Sequence, residues 1–388
     1  METNKLYVYK VDNINKIVNR FLLNFNSQFN PGQKVLIKPN WVNSRSPDTG
    51  ATTNMELIEE VIKFFRKKRM RIILAEGSGY EFDTEKAFKI LNVDYFKKYN
   101  VKVVNTRKCA TRLVDLHGKI LKKTLLPADA IDADWIINIP KIKTHVLTGM
   151  SLCLKNLFGL LPDKERRFAH TFGLNQAIID LATYFNDKTI NLLDGITAMS
   201  GEGPVFGDTF NLKILIAGTN MADIDKACCG LLGVDFKKIH HIRMARSLFS
   251  DHVEVISEYH EKLPFFQLPT ASGYYKFRYW GVFAFDWLQS RFSKRSFIPN
   301  IVTRFGVQLF IDNKKCNLCG KCIKICPMGA ITQAKDKSIK IDFEKCRYVR
   351  CFKCFDLCEP EAIKIKGFSQ PRKFKSKASL INKNTLSF

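Results

Sequence analysis

Hydrophobic and polar positions follow two different periods along the N-terminal part of the chain. Runs at 34–38, 71–76 and 134–139 are almost continuously apolar, which is typical of strands buried on both faces of a sheet. Between the first two runs, apolar residues recur every three or four positions, and Thr53 or Asn54 can cap a helix there. This alternation predicts an α/β domain with a mostly parallel sheet flanked by helices.

The C-terminal part has another pattern, in which short apolar segments flank two sets of cysteines. The first set begins at Cys316 and spells C-x2-C-x2-C-x3-C-P, the bacterial ferredoxin signature for [4Fe-4S] clusters. The eight candidate ligands are Cys316, Cys319, Cys322, Cys326, Cys346, Cys351, Cys354 and Cys358. The other four cysteines, Cys109, Cys153, Cys228 and Cys229, have no assigned role. The pattern predicts a small α+β ferredoxin-like domain that binds two [4Fe-4S] clusters.

In this signature the fourth cysteine of one set reaches the cluster of the other set. We therefore expect Cys358 to complete the cluster of Cys316, Cys319 and Cys322, and Cys326 to complete the second cluster. Zinc is an alternative, but zinc ribbons pair two C-x2-C knuckles over a shorter gap. Disulfides are disfavoured because the sequence has no signal peptide and exceeds the size of a cysteine-stapled secreted domain. The sequence does not decide whether a flavin also binds.

Composition divides the chain into four segments. These are an α/β domain at 1–248, an aromatic and basic helical connecting segment at 249–307, the ferredoxin-like domain at 308–367 and a basic, disordered tail at 368–388. Aromatic residues interleaved with lysine and arginine at 265–297 predict a helix that packs beneath the cluster domain or makes peripheral contact with a membrane. We favour packing, because Tyr279, Phe285 and Asp286 blur the polar face that a membrane-surface helix needs.

The chain is strongly basic. Its 62 Lys and Arg residues against 37 Asp and Glu give a formal charge of +25. Such a surplus favours an acidic redox partner protein or an anionic small molecule, unless it reflects a general compositional bias toward lysine. No recognition motif supports a specific nucleic-acid partner. No apolar run reaches the roughly 18 residues that span a bilayer, and we expect a cytoplasmic protein.

Polar residues follow several predicted strands at the points where these strands end. In a parallel sheet these ends lie along one edge and form the ligand crevice. We expect cationic groups there opposite three carboxylates: Lys38, Lys141, Lys143 and His145 facing Glu76, Asp194 and Glu202. An ordinary solvated loop is the alternative for 141–145. His145 is the favoured acid or base, because the unperturbed pKa of histidine lies near neutrality.

Several of these stretches resemble the family catalogued as domain of unknown function 362. The resemblance rests on 34–40, 140–145, the Lys-Asn-Leu-Phe-Gly run that begins at Lys155, Asp194-Gly195, 201–204 and Asp223-x-Asp225. It covers most of residues 30–365, and the Lys-Asn-Leu-Phe-Gly and Lys-x-Lys-Thr-His stretches are its most specific parts. The resemblance implies the α/β architecture and an iron–sulfur association, but no settled reaction.

The first functional hypothesis is an iron–sulfur oxidoreductase that exchanges electrons with an anionic small molecule in the α/β domain. Its catalytic residues are Lys141, Lys143 and His145, which exchanges a proton, and its substrate-binding residues are Lys38, Asn40, Lys155, Asn156 and Glu202. The second hypothesis is a non-catalytic electron-transfer or assembly protein that docks a redox partner. The third is a non-redox enzyme for a hydroxy or phospho acid, in which the clusters are structural.

Overall fold

A computed structural model describes residues 4–79, 82–270, 281, 308–334, 336–346 and 353–366. The strands of the α/β domain are β1 Asn4–Lys10, β2 Lys34–Pro39, β3 Arg71–Glu76, β4 Lys102–Asn105, β5 Thr111–Asp115, β6 Lys123–Pro127, β7 Trp135–Ile139, β8 Lys141–His145, β9 Gly149–Ser151, β10 Thr189–Ser200, β11 Asp208–Phe210, β12 Ile214–Gly218 and β13 Val253–Ser257. Strands β5 and β6 form a separate hairpin. The main path of the large sheet has the order β13-β1-β12-β10-β7-β2-β3-β4.

Helices connect these strands. They are α1 Ile14–Leu22, α2 Met55–Lys67, α3 Thr84–Ile90, α4 Ala128–Ile131, α5 Cys153–Asn156, α6 Asp163–Phe172, α7 Leu174–Phe185, α8 Met221–Leu231 and α9 His240–Met244. Short 3-10 helices span Leu23–Gln28, Pro47–Thr49, Val93–Tyr99, Leu157–Leu160, Asn186–Lys188, Phe236–Lys238 and Ala245–Leu248. Asn54 caps α2 as predicted, because its side chain accepts a hydrogen bond from the backbone N–H of Leu57 at 3.1 Å.

The apolar runs are buried because each central strand lies between two apolar layers. Along β2, Leu36 packs into one cluster, whereas Val35 and Ile37 pack into the other, and all three are fully buried. Strands β10, β7, β2, β3 and β4 pair in parallel. The structure therefore confirms the predicted α/β class with a mostly parallel sheet.

Two predicted loops are strands instead. Residues Lys141–His145 form β8, which pairs with β9 and β10, and the segment after Asp194 continues β10 as far as Ser200. All five residues of β8 are buried. Sequence reasoning assigned a loop because these residues follow the end of the apolar run at 134–139. In the structure the buried ammonium groups have polar partners, which make a strand possible.

The α/β sheet extends beyond the predicted boundary at residue 248. Strand β13 pairs in parallel with β1 at the edge of the sheet. Further on, Phe266 is buried, and its N–H donates to the carbonyl of Leu232. Most of the predicted aromatic helix, at 271–280 and 282–297, and the predicted disordered tail lie outside the described residues. Within the described ranges, no helix has both the length and the apolar character that crossing a bilayer requires.

The C-terminal module consists of short strands and helices around the cysteine motifs. Its elements are β14 Gln308–Ile311, α10 Lys321–Ile325, β15 Ile331–Gln333, β16 Ile339–Ile341, α11 Phe343–Cys346, α12 Lys353–Leu357 and β17 Ile363–Lys366. β14 pairs with β17 and β15 pairs with β16, both antiparallel. These four strands coincide with the short apolar segments that flank the two sets of cysteines. They agree with a ferredoxin-like α+β module.

Candidate functional site

A buried ion pair joins the carboxyl ends of β2 and β3. Lys38 Nζ lies 2.8 Å from Glu76 Oε1, and the two side chains are 0% and 4% exposed. Glu76 also accepts from the N–H of Trp41 at 2.8 Å, so the carboxylate is fixed in place. A Cβ at Gly159 would lie 2.6 Å from Glu76 Oε1 and 2.7 Å from Lys38 Nζ. The glycine of the Lys-Asn-Leu-Phe-Gly run is therefore required by this ion pair.

A second buried ion pair links β8 to β10. Lys141 Nζ lies 2.9 Å from Asp194 Oδ2, and neither side chain is exposed. Asp194 also accepts from the backbone N–H groups of Asn54 at 2.7 Å and Ile196 at 3.0 Å. Burial lowers the pKa of Lys141, and Asp194 opposes that shift. Lys38 and Lys141, which the sequence placed opposite Glu76 and Asp194, are thus each paired with one of these carboxylates.

Lys143 has neutral partners. Its Nζ donates to Asn40 Oδ1 at 2.7 Å and to the carbonyl of Ala51 at 2.5 Å. Burial first, and then the nearby charge of Lys155, hold the pKa of Lys143 well below its usual range. An anion bound beside Lys143 would favour its protonated form.

A chain of amides crosses the sheet beneath these lysines. Asn40 donates to Asn156, which donates to Asn138, and Asn138 donates to Asn191. The three distances are 2.9, 2.8 and 2.8 Å, and all four residues are buried. Asn156 therefore positions Asn40, which in turn positions Lys143. This arrangement brings the predicted residues Asn40, Asn156 and Lys143 together.

His145 is held in one neutral form. Its Nδ1 accepts from the N–H of Leu147 at 3.1 Å, which leaves the ring proton on Nε2. Burial first, then the charges of Lys155 and Lys143, hold the pKa of His145 well below its usual range. The ring can donate a hydrogen bond through Nε2–H, and its role as an acid or base stays a prediction.

Lys155 differs from the other crevice lysines. Its helix, α5, begins at Cys153. Among the described residues, the half-buried Lys155 ammonium has neither a hydrogen-bond partner nor an ion-pair partner. Burial first, then the charges of Arg166 and Lys38, lower the pKa of Lys155 to about 8. Among the described residues of the crevice, Lys155 is thus a cation without a protein partner.

Asp225 fixes the start of the helix that carries Lys155. It accepts from the N–H groups of Cys153 at 2.7 Å and Leu154 at 3.1 Å, which are the first two residues of α5. Asp225 itself lies on α8, whose N-cap is Asn220. Burial raises the pKa of Asp225 to about 7, against the two backbone donors.

Glu202 points toward a different neighbour. Its Oε1 accepts from the backbone N–H of Thr270 at 3.0 Å and from the Thr270 hydroxyl at 2.9 Å. It therefore forms no ion pair with the crevice lysines within the part of the chain that the structure describes. The predicted substrate-binding role of Glu202 has no geometric support here.

The first predicted cluster site has a cavity among its cysteines. Cys316, Cys319, Cys322 and Cys358 line this cavity together with apolar side chains such as Ile311. This is the ligand set that the exchanged fourth cysteine predicts, so the chain fits a [4Fe-4S] group there. In the described ranges, no three His, Cys, Asp or Glu side chains converge as ligands of a single metal ion. Of the second set, Cys351 lies outside the described residues.

The cysteine module contacts loops of the α/β domain. Phe82, which follows β3, and Val205, which follows β10, belong to the same apolar cluster as Leu309 and Ile331. Arg45, in the loop after β2, donates to the carbonyl of Val205. These loops leave the carboxyl-end edge of the sheet that carries Lys38 and Glu76, so the module lies on the crevice side.

Comparison with family models decides the classification. A model described as a domain of unknown function, DUF362, matches residues 35–230, and a 4Fe-4S binding domain matches residues 309–332. The chain belongs to the DUF362 family. The match to the 4Fe-4S domain identifies the C-terminal module as a ferredoxin-type iron–sulfur module.

Curated relatives match two different parts of this DUF362 protein. A thylakoid-associated protein of Synechocystis is 26% identical over 215 residues, which are 53% of this chain and 64% of the relative. The chain thus spans slightly less than two thirds of that relative. An uncharacterized ferredoxin of Methanocaldococcus jannaschii is 34% identical over 75 residues, 19% of this chain and 95% of the ferredoxin. Pyruvate synthase subunit PorD of the same organism is 38% identical over 53 residues, 14% of this chain and 59% of the subunit.

One solved structure has a partial likeness. The lactate racemase apoprotein from Thermoanaerobacterium thermosaccharolyticum is 15% identical, with a TM-score of 0.39. The match covers 60% of this chain and 57% of that one. At this TM-score the likeness supports no inference about the DUF362 domain.

Sequence reasoning missed His241, a buried histidine near Lys155 in the DUF362 crevice. His241 on α9 has no exposed surface, and neither ring nitrogen has a hydrogen-bond partner among the described residues. Burial first, then the charge of Lys155, lower the pKa of both His170 and His241 to about 3. Both rings are therefore neutral neighbours of Lys155. No sequence signal marks His241, because its position near Lys155 depends on how α9 packs against the rest of the domain.

His241 offers a test of whether this unpaired ring is structural. Replacing His241 with leucine should raise the free energy of unfolding by about 1–2 kcal/mol, because a buried polar group without a partner disfavours folding. Denaturant unfolding measures this change, with the exposed His117→Leu as the control. A less stable His241→Leu variant would instead show that the ring is satisfied by a bound molecule.

Proposed function

We propose that this DUF362 protein is an iron–sulfur oxidoreductase that passes electrons to or from an anionic small molecule in the α/β crevice. The ferredoxin-type module, with its [4Fe-4S] groups bound, supplies single electrons. The proposal includes a second cluster at Cys346, Cys351, Cys354 and Cys326. The main support for this proposal is the Lys155 ammonium, which has no partner among the described residues. It lies in a crevice whose loops contact the cluster module.

The charge balance of the crevice supports an anionic ligand. Lys38 and Lys141 are each neutralised by a carboxylate, but Lys143 has only neutral partners and Lys155 has none among the described residues. Charges in a crevice shielded from water act more strongly than at an exposed surface. A ligand that carries a negative charge would therefore satisfy Lys155 and stabilise the protonated form of Lys143.

Covalent attachment supports an electron-transfer role for the crevice. A module on the same chain delivers electrons without a separate encounter, because its effective concentration at the crevice is high. The contacts of Phe82 and Val205 with Leu309 keep the module near the crevice loops. Arg45 reinforces them, since it donates to Val205 and its guanidinium carbon lies 5.6 Å from the ring centroid of Phe206.

A redox carrier is the second candidate, and exposed apolar side chains favour it. Leu318, Ile325 and Leu357 are 43%, 38% and 42% exposed, and each lies beside a cysteine of the two motifs. Apolar groups around a redox centre suit transient docking of a partner protein.

Anaerobic reoxidation separates the two candidates. The reconstituted and reduced protein is mixed with small anions, including 2-oxo acids, nitrate and sulfite, and cluster absorbance is followed over time. The enzyme proposal expects at least one anion to reoxidise the protein. It also expects Lys143→Met to weaken that anion's binding at least about tenfold, or ~1.4 kcal/mol, with an unchanged absorption spectrum. Reoxidation by electron-carrier proteins alone would favour the carrier.

A further inference from the structure

The two sets of cysteines differ in how close they lie to the surface. Cys319 of the first set is exposed, whereas Cys354 of the second set is buried in the apolar cluster that also contains Phe82 and Val205. A protein that docks on the module can therefore approach Cys319 directly, but not Cys354. Because electron transfer slows steeply with distance, the surface around Cys319 is the place where docking would favour it.

Exposed lysines lie on both sides of Cys319 in the sequence. Lys314 and Lys315 precede the first motif, and Lys324 lies one turn along α10 from Lys321, which lines the cavity of the first cluster site. Within the described ranges, the side chains of Lys314, Lys315 and Lys324 have neither an ion-pair partner nor a hydrogen-bond partner. Three positive charges are therefore available to an approaching protein.

Two nearby carboxylates do not cancel these charges, because other lysines already neutralise them. Glu359 follows Cys358, and its Oε1 lies 2.6 Å from Lys321 Nζ. Asp312 Oδ2 lies 2.9 Å from Lys364 Nζ. The surface therefore keeps a surplus of positive charge, which favours a partner with an acidic surface and disfavours a basic one.

Apolar side chains lie among these lysines. Leu318, between two cysteines of the first motif, is 43% exposed, and Ile325, beside Lys324 on α10, is 38% exposed. A small apolar contact area surrounded by charge suits a complex that forms quickly and separates again, because the charges speed the encounter and the small area keeps the affinity modest. Electron-transfer partners form complexes of this kind.

We propose that an acidic single-electron carrier protein docks on this surface and delivers electrons to the first cluster site. We call the surface the entry face, and it consists of Lys314, Lys315, Leu318, Cys319, Lys324 and Ile325. One electron passes at a time from the reduced carrier to the module, and no covalent bond forms or breaks. This inference rests on the proposed electron-transfer function and adds the partner and the place at which electrons enter.

Cross-linking locates the carrier without any turnover. Oxidised holoprotein and oxidised flavodoxin, an acidic single-electron carrier, are treated with a carbodiimide, which joins lysine amines to carboxylates in contact with them. Peptide mapping should find Lys314, Lys315 or Lys324 joined to flavodoxin. The proposal fails if flavodoxin is joined only to other lysines, such as the exposed Lys237 and Lys238 of the α/β domain, or if the entry face is joined to a second copy of this chain.

Stopped-flow reduction by flavodoxin hydroquinone tests the charges of the entry face. Lys314→Glu combined with Lys315→Glu should slow the second-order reduction about tenfold at about 0.05 M salt, because attraction becomes repulsion. The difference should nearly vanish at about 1 M salt, which screens exposed charges. The matched control is Lys237→Glu combined with Lys238→Glu, which changes the net charge equally on the α/β domain and should leave the rate within about twofold.

Leu318→Asn tests the apolar contact. Leu318 has a φ of 58°, in the left-handed region that asparagine adopts readily, so the loop should keep its conformation. The variant should slow reduction by flavodoxin about fivefold at low salt and at high salt alike, because burial of an apolar side chain does not depend on charge. An unchanged rate would remove Leu318 from the entry face.

A small photoreductant distinguishes this inference from the proposed function. Photoreduced deazaflavin needs no docked protein, so the entry-face variants should accept its electrons and then react with small anions as the unmodified protein does. If the lysine variants take electrons from flavodoxin at the unmodified rate, the entry face is wrong and the oxidoreductase proposal stands. If flavodoxin reduces the protein through this face but no small anion reoxidises it, the entry face stands and the oxidoreductase proposal fails.

Discussion

Replacing Asp194 with alanine should lower the free energy of unfolding by about 3–5 kcal/mol, the range for removal of one partner from a buried ion pair. The change leaves Lys141 without its carboxylate in a site that is fully buried. It also leaves the N–H groups of Asn54 and Ile196 without their acceptor. Anaerobic denaturant unfolding measures the loss. The control is Asp94→Ala, which removes an exposed pair with Lys97 and should cost less than about 1 kcal/mol.

The pH dependence identifies the cause of this instability. Burial lowers the pKa of Lys141 even beside Asp194, and the variant removes the one opposing carboxylate at 2.9 Å. Between the lowered folded-state pKa of Lys141 and the unfolded-state pKa of lysine, near 10.4, the unfolded chain binds more protons than the folded chain, so stability should rise with pH there. The deficit of Asp194→Ala should therefore be smaller at pH 9 than at pH 7. The double variant Asp194→Ala with Lys141→Met should recover part of the loss, whereas full additivity would contradict the ion-pair explanation.

The layered part of the fold could be predicted because its physical signal is local. Strands such as β2 and β3 lie between two apolar layers, so their sequences are continuously apolar and their positions are evident. The cap at Asn54 depends on residues only a few positions apart. Strand β8 could not be predicted in this way. Its buried lysines are stabilised by Asp194 and Asn40, which are distant in sequence. No local pattern could show that these partners would be present.

The crevice residues could be predicted, but their roles could not. The sequence selected Lys38, Asn40 and Lys143 because polar residues at strand ends meet at one edge of a parallel sheet. It selected Asn156 from the Lys-Asn-Leu-Phe-Gly stretch of the family resemblance. Which lysine remains unpaired depends on tertiary contacts, and these contacts single out Lys155 among the described residues. The sequence did contain one signal for the amide chain that was not used. Asn138 is a polar residue in an otherwise apolar strand. That asparagine continues the amide chain from Asn156.

Exchange of the fourth cysteine between motifs leads to a prediction about pairs of variants. Cys316 and Cys358 line one cavity although they are distant in sequence, which places them in the same cluster site. Cys316→Ser and Cys358→Ser should therefore each lose one cluster, or roughly four of eight iron atoms. Their combination should lose no more iron than either variant alone. The combination of Cys316→Ser with Cys326→Ser should instead lose nearly all iron, because we propose that Cys326 is a ligand of the second cluster.

Iron and sulfide analysis after anaerobic reconstitution measures these losses, and electron paramagnetic resonance of the reduced protein identifies the cluster that remains. With both clusters reduced, their spins interact and broaden the spectrum, so each single variant should give the simpler signal of an isolated cluster. Cys109→Ser is the control, because Cys109 packs against the core of the α/β domain and should keep all the iron. The ligand exchange would be wrong if Cys358→Ser combined with Cys316→Ser removed both clusters. A single cluster in the unmodified protein would limit the electron path to the site of Cys316 and remove the proposed second site at Cys346.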